Sequence, residues 1–267
     1  MSVWSCLVTC LKHLQWFSLL GTGFWTVLPL AFNTAHYVYL QLVIQRLIVG
    51  SVLWFMSTGR IVLETGLLTM TPASLYLVSS KGAAFDLVFA KNLAPPYKPG
   101  LLAAIALTML TEKFFKLYSN IVNFTVVSFS LMSVRVVVNF LYQLGMATVV
   151  GCLVATFNKE CQAIAAGDVN KRLEAVHRFV FKFRSLKNGL QLCLLSVFTA
   201  NTGLVIFNAY NLYARLNFNC IYGNDFPFQY IGFLVCILAS NMLLLFYYAA
   251  AMGSCYQSFQ GLAGVLR

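Results

Sequence analysis

Residues 226–266 read FPFQYIGFLVCILASNMLLLFYYAAAMGSCYQSFQGLAGVL, residues 188–214 read NGLQLCLLSVFTANTGLVIFNAYNLYA, and neither stretch contains a charged side chain. A helix needs about 20 apolar residues to cross the hydrocarbon core of a bilayer. Both runs exceed that length, and the run between Arg135 and Lys159 is a third of sufficient length. The three runs indicate an integral membrane protein built from helices.

The composition of the whole chain agrees with this interpretation. Of the 267 residues, 60% are hydrophobic and only 9% are charged, which is too few charged groups to cover a soluble domain of this size. The net charge of +11 could suggest a nucleic acid as a partner. In a membrane protein it is better explained by Lys and Arg gathered on cytoplasmic segments, so the lipid bilayer is the expected partner and no nucleic acid is expected.

The distribution of charge predicts which segments face the cytoplasm. Residues 158–189 hold seven basic and three acidic residues, a net charge of +4, and the positive-inside rule places them inside the cell. Residues 80–99 carry three Lys against Asp86 and are placed there too, with Pro95 and Pro96 interrupting any helix. Because an even number of crossings must separate two cytoplasmic loops, two spans are expected between them.

These arguments predict an all-α, polytopic transmembrane helical bundle of about six spans, forming a single domain over residues 1–267. The predicted spans are residues 37–56, 61–79, 100–118, 136–157, 188–214 and 226–266. Residues 14–32 remain, either as an additional span or as an amphipathic N-terminal helix lying against the membrane. Residues 119–134 are predicted to form an external loop, with Glu112, Lys113 and Lys116 snorkelling to the outer surface just before it.

The polar residues of the chain do not form the patterns that catalysis requires. The sequence contains no H-E-x-x-H, G-x-S-x-G or P-loop motif, and its seven acidic residues lie mostly in loops or near span ends. Its eight cysteines include no C-x-x-C pair. We therefore predict that the protein is not an enzyme and has no catalytic residue, metal site or cofactor.

Aromatic and amide side chains within two spans predict a ligand pocket instead. Such residues can line a mostly apolar pocket with a few polar groups that orient the ligand. The fifth span also carries Asn201 and Asn208, seven residues apart on one helical face. The same surface is equally compatible with helix packing or an interfacial aromatic belt. The residues predicted to bind the ligand are Asn139, Tyr142, Gln143, Phe207 and Tyr210.

A resemblance to a known family is concentrated in the C-terminal half of the chain. Its residues are 171–179 (KRLEAVHRF), 186–192 (LKNGLQL), the aromatic, Asn- and Gly-interrupted run 198–213, and the small-residue and cysteine stretch 247–258. Together they resemble the entry into the fifth span, the fifth span itself and the cytoplasmic end of the sixth in the insect gustatory receptors. These receptors are seven-helix membrane proteins with an internal N-terminus.

The resemblance implies a chemosensory receptor with several spans in the plasma membrane. It would be one subunit of a homo- or hetero-oligomeric cation channel, a tetramer in this family, gated by a small-molecule tastant. The Thr-Tyr and Gln-Phe motif of the family's seventh helix is absent before Arg267, so a form truncated before that helix is expected. The alternative is a non-receptor membrane subunit, or a non-conducting relative, that acts in helix–helix assembly.

Overall fold

A computed structural model describes residues 95–123, 126–217 and 228–266, together with Phe55, Gly59, Val62 and Leu63. All regular secondary structure in these residues is α-helical, which confirms the all-α class for the described part of the chain. The four long helices are α1 (Pro99–Asn123), α2 (Val126–Ala166), α3 (Val169–Asn217) and α4 (Phe228–Leu266). Nearly all of the predicted spans 14–32, 37–56 and 61–79, and residues 80–94 of the predicted cytoplasmic loop, lie outside the described residues.

α4 is the central helix of the bundle, because it packs against each of the other three. Its buried residues recur at alternating intervals of four and three, which keeps them on one side of a helix. One such row is Phe233, Ile237, Ser240, Leu244, Tyr247 and Ala251. The main apolar core lies where this row meets α1 and α2, and it includes Leu102, Ile105, Met109, Ala147 and Val150.

The four helices alternate in direction. α1 and α3 run antiparallel to α4, whereas α2 runs parallel to it, so that consecutive helices form an up-down-up-down arrangement. For α1 the contacts that fix the direction are Tyr97–Tyr247 and Glu112–Ser240, and for α2 they are Gly151–Tyr247 and Asn158–Ser254. For α3, Phe179 packs with Leu262, and Leu212 packs against the cluster of Phe233, Leu234 and Ile237.

The segment predicted as a long cytoplasmic loop, residues 158–189, is almost entirely helical. α2 continues to Ala166, Gly167 and Asp168 make the turn, and α3 begins at Val169. Arg172 stabilises the turn, since its guanidinium donates to the carbonyl oxygens of Gly167 at 3.0 Å and of Ala165 at 3.1 Å. A charged sequence can stay helical because the backbone hydrogen bonds are made within the helix.

The predicted external loop at residues 119–134 is also wrong as a description of the backbone. α1 extends to Asn123 and α2 begins at Val126, which leaves Phe124 and Thr125 as the only residues of this segment outside the described helices. The segment is apolar, and two helices that continue to within a few residues of each other keep its backbone groups paired.

A short described piece of the N-terminal part packs against α3. Gly59 faces Phe207, and Leu63, one turn further along, faces Gly203. Leu63 also contacts Ala200 and Leu204. From Gly59 to Leu63 the residue number rises by four, whereas the position faced on α3 falls by four, from Phe207 to Gly203. This piece therefore runs antiparallel to α3.

By length and composition alone, one helical stretch among the described residues could cross a membrane, Ile231–Leu266 in α4. It has 36 residues, and an 18-residue window within it has a mean hydropathy of 2.0. At about 1.5 Å per residue it is roughly 54 Å long, whereas the hydrocarbon core of a bilayer is about 30 Å thick. In an upright orientation, α4 would therefore extend well beyond the hydrocarbon core. The arrangement of six spans remains a prediction.

Candidate functional site

The interior of the bundle contains a row of buried amide side chains. On α3, Asn201, Asn208 and Asn211 are 1%, 0% and 6% exposed, and on α4 Asn241 is 3% exposed. Two of these amides bond within their own helix: Asn201 Nδ2 donates to the carbonyl oxygen of Val197 at 2.8 Å, and Asn241 Nδ2 to that of Ile237 at 2.7 Å. Neither of these two bonds links α3 to α4.

Asn208 is the most unusual of these residues. It has no exposed surface, and within the described part of the chain neither its Nδ2 nor its Oδ1 has a hydrogen-bond partner. The Oδ1 of Asn201, two helical turns earlier on α3, is also buried and has no hydrogen-bond partner among the described residues. A buried polar group left unpaired costs about 1–3 kcal/mol. Asn208 therefore offers a donor and an acceptor to any small molecule, water included, that reaches it.

A second polar cluster joins α1 to α4. Glu112 is 2% exposed and Lys113 is 7% exposed, and Lys113 Nζ donates to Glu112 Oε1 at 2.5 Å. The hydroxyl of Ser240 lies 3.2 Å from Glu112 Oε2 and 3.1 Å from the carbonyl oxygen of Ile237. Because a hydroxyl has one proton, Ser240 can donate to only one of these acceptors at a time.

This cluster corrects the prediction that Glu112 and Lys113 snorkel to the outer surface. Both side chains are buried in the bundle, and Ser240 of α4 lies against Glu112. Burial is tolerated because the two charges neutralise each other, whereas a single buried charge would be strongly destabilising. The side chain of Lys116 lies outside the described residues.

The predicted ligand-binding residues are only partly described. Gln143 is buried in α2, and Phe207 and Tyr210 are half-buried in α3. A Cβ atom on Gly59 would come within 2.7 Å of the Phe207 ring, so this ring packs on the N-terminal piece. Asn139 and Tyr142 belong to α2, but their side chains lie outside the described residues.

The register of the helices shows how far apart these residues lie along the bundle. Asn158 of α2 bonds to Ser254 of α4, which is 96 positions later in the chain. Because the two helices are parallel, the residue of α4 at the height of Gln143 is Ala239. Leu212 packs against the cluster of Phe233, Leu234 and Ile237, and this brings Phe207, five residues earlier on α3, to nearly the same height. The structure thus places Gln143 and Phe207 in the same layer, and whether they share a pocket remains a prediction.

At the opposite end of the bundle, Cys161 packs with Phe179 and Leu262. Burial, and secondarily the charge of Glu160, raise the pKa of the Cys161 thiol above its ordinary value. A thiol with a raised pKa stays protonated and is a poor nucleophile. Among the described residues, no group of three or more His, Cys, Asp or Glu side chains is placed to hold a metal ion.

Comparison with models of known protein families, with curated proteins and with solved structures finds no match for this chain. Its function is therefore inferred from its own residues. The buried amide row on α3 and the Glu112–Lys113–Ser240 cluster are the two polar features of the described interior on which such an inference can rest.

Proposed function

We propose that this chain is a multi-pass plasma-membrane protein and a chemosensory receptor subunit of the gustatory type. In this proposal a small molecule binds inside the helical bundle and favours the open state of a cation channel built from several subunits. Its central observation is Asn208, fully buried with both amide atoms unpaired within the described part of the chain. The family assignment itself comes from the sequence resemblance in the C-terminal half.

The outward faces of the helices support a location in lipid. Several large apolar side chains point away from the bundle, and a soluble protein rarely exposes so many together. A bilayer would cover them. They include Leu107 and Phe114 on α1, Leu195 and Ile206 on α3, and Phe246 on α4.

The proposed topology has the α2–α3 turn in the cytoplasm, because residues 158–189 carry a net charge of +4. We expect a Lys171→Cys variant to react with a membrane-impermeant maleimide only after the cells are permeabilised. An Asn219→Cys variant, between the fifth and sixth predicted spans, should react in intact cells and serves as the external control. Labelling of Lys171→Cys in intact cells would reverse the topology.

The ligand site is tested by removing the unpaired amide. We expect Asn208→Leu to leave the stability of the ligand-free protein unchanged or higher, because an apolar side chain of similar size needs no partner. The same variant should lose stabilisation by a ligand, which for one site amounts to about 2.7 kcal/mol at 100 times the dissociation constant. Thermal unfolding of the purified protein with sucrose, caffeine or quinine measures both effects.

Two comparisons make this test specific. Thr202→Val removes a polar group from the same helix, but the Thr202 hydroxyl already donates to the carbonyl oxygen of Phe198 at 2.8 Å, so ligand stabilisation should persist. Tyr142→Ala and Tyr210→Ala should weaken it if the predicted pocket is correct. A compound that stabilises Asn208→Leu as strongly as the unmodified chain would show that Asn208 is not part of the site.

A role in helix–helix assembly is the second candidate, and one observation favours it. Apolar side chains are also exposed at the charged end of the bundle, near the α2–α3 turn and the end of α4, where lipid chains would not cover them. They are Leu173, Phe181, Tyr256 and Phe259. A subunit that acts only in helix–helix assembly would not be stabilised by sucrose, caffeine or quinine. Asn208 would then contribute only to packing.

A further inference from the structure

The N-terminal part of α3 exposes a stripe of large apolar side chains. Leu173, Val180 and Phe181 are 69%, 50% and 81% exposed. At about 100° of rotation per residue, the three lie within about 100° of one another around the helix. His177 and Arg184, both exposed, fall between them, and these five residues form the α3 stripe. An apolar stripe of about this width is what an amphipathic helix buries against a partner.

The α3 stripe points away from the rest of the described bundle. Phe179 is buried and packs with Cys161 of α2 and Leu262 of α4. Phe181 follows Phe179 by two residues, which is a rotation of about 200° around the helix. The stripe therefore lies on the side of α3 opposite to its contacts with α2 and α4.

Lipid chains do not reach the α3 stripe in the membrane placement proposed above. Lys98 is the last charge before the apolar part of α1, and the residue before it donates its amide to the carbonyl oxygen of Gly151 on α2. Leu194 of α3 packs against the core cluster that includes Val150, so α3 reaches this height near residue 194. Phe181 is 13 residues earlier on α3, about 20 Å along the helix, and thus lies well outside the hydrocarbon core.

The surface around the stripe is basic. Arg184 lies within the stripe, and Lys171 and Arg178 are exposed beside it. Residues 169–187 contain six basic residues against one acidic residue, Glu174, which lies 3.6 Å from Arg178. An apolar stripe with a basic border matches a partner that has an apolar groove bordered by carboxylates.

We propose that the α3 stripe binds an acidic calcium-sensor protein of the EF-hand type in its calcium-loaded state. Such proteins open an apolar groove when they bind Ca²⁺, and this groove takes the apolar face of a basic amphipathic helix. The interaction requires the α2–α3 turn to lie in the cytoplasm, as proposed above, but it does not require a tastant.

Two other occupants fit the stripe less well. A second copy of the chain carries 18 Lys and Arg against seven Asp and Glu, so it has few acidic groups to match a basic surface. In a two-fold contact of stripe on stripe, like charges would face each other. A membrane surface would need the helix to lie in the membrane plane, whereas α3 runs antiparallel to α4. Leu173 and Phe181 are therefore at different heights, about 12 Å apart along the helix.

The experiment measures binding of fluorescently labelled calmodulin to the purified chain in phosphatidylcholine nanodiscs by anisotropy. We expect binding in Ca²⁺ that is lost when EGTA removes the calcium, and that weakens at high salt. Phe181→Gln should weaken binding at least about tenfold, as expected for the loss of an aromatic anchor in a groove. Its melting temperature should not change, because the side chain is exposed in the unbound protein.

Two further variants make the test specific. Phe259→Gln is the matched control, because this ring is 53% exposed at the same end of the bundle but belongs to α4, on the side away from the stripe. Binding of calmodulin to this variant should be unchanged. Arg184→Gln should weaken binding and reduce its dependence on salt, because one of the charges that attract the acidic partner is removed.

The contrary outcomes are distinct. Absence of binding, binding that is independent of Ca²⁺, or equal weakening by Phe181→Gln and Phe259→Gln would overturn the sensor site. If calmodulin did not bind and Phe181→Gln abolished self-association in sedimentation, the stripe would be an interface between copies of the chain. Labelling of Lys171→Cys in intact cells would place the stripe outside the cell, and this failure of the topology is separate from any result with the purified chain.

Discussion

The Gly151→Ala variant is expected to unfold at a markedly lower temperature than the unmodified chain. A Cβ atom at this position would overlap the hydroxyl of Tyr247 and would come within 3.0 Å of Pro96 Cβ. Neither neighbour can move away freely, because Tyr247 is fully buried and its hydroxyl is bonded to the carbonyl oxygen of Tyr97. Overpacking of this kind costs about 1–3 kcal/mol, more than the gain of about 1 kcal/mol in helix propensity that alanine brings.

Two further variants show whether steric overlap causes the loss. Gly253→Ala makes the same change in α4, where a Cβ atom would meet nothing within 4 Å, and its stability should rise slightly. Adding Tyr247→Phe to Gly151→Ala removes the overlapping oxygen and leaves the ring carbon Cζ at 3.4 Å, so part of the stability should return. Equal melting temperatures for Gly151→Ala and Gly253→Ala would show that this contact does not constrain the bundle.

Helix formation could be predicted from sequence more reliably than the ends of helices. The uncharged run at residues 226–266 became α4, Phe228–Leu266, almost without change, because long apolar segments with few breakers strongly favour helix. The charged segment 158–189 was predicted as a loop, yet it continues α2 and begins α3. Charge indicates on which side of a membrane a segment lies, but backbone hydrogen bonding decides whether it is helical.

The burial of Glu112 was not predicted, although a signal for it exists. Leu102, Ile105, Met109 and Glu112 follow each other at intervals of three, four and three, and all four are buried. The carboxylate thus continues the core row of α1. On α3 the intervals of three, four and three recur, and all four residues are again buried: Asn201, Leu204, Asn208 and Asn211. Polar residues that share the spacing of a core row are better candidates for an interior site than aromatic residues chosen by their spacing and their place in a predicted span. Phe207, chosen in that way, packs on Gly59.

Sequence alone could not identify the partners of these residues. Ser240 is 128 positions from Glu112, and only the antiparallel packing of α1 on α4 brings the two side chains within 3.2 Å. Lys113, by contrast, is the sequence neighbour of Glu112, and its role could have been inferred once burial was known. A pair of opposite charges within an apolar span is compatible both with snorkelling and with an interior ion pair.

The largest effect on stability is expected from breaking the buried ion pair on one side. Lys113→Met leaves the Glu112 carboxylate buried, and among the described residues only the shared hydroxyl of Ser240 remains as a donor. Removal of one partner of a buried pair costs about 3–5 kcal/mol, which is a large part of the stability of a typical domain. Thermal unfolding of the protein reconstituted in lipid should therefore show a large fall in melting temperature, or no folded protein at all.

The double variant Glu112→Gln with Lys113→Met distinguishes an uncompensated charge from lost packing. It removes both charges while keeping an oxygen at position 112 that can accept from Ser240, so it should be clearly more stable than Lys113→Met alone. The exposed pair Glu174–Arg178, 3.6 Å apart with both side chains 73% exposed, is the matched control. Glu174→Gln should have no measurable effect, because water already solvates these charges. If Lys113→Met were as harmless as Glu174→Gln, the two charges would have to lie in water, and the interior position of this cluster would be wrong.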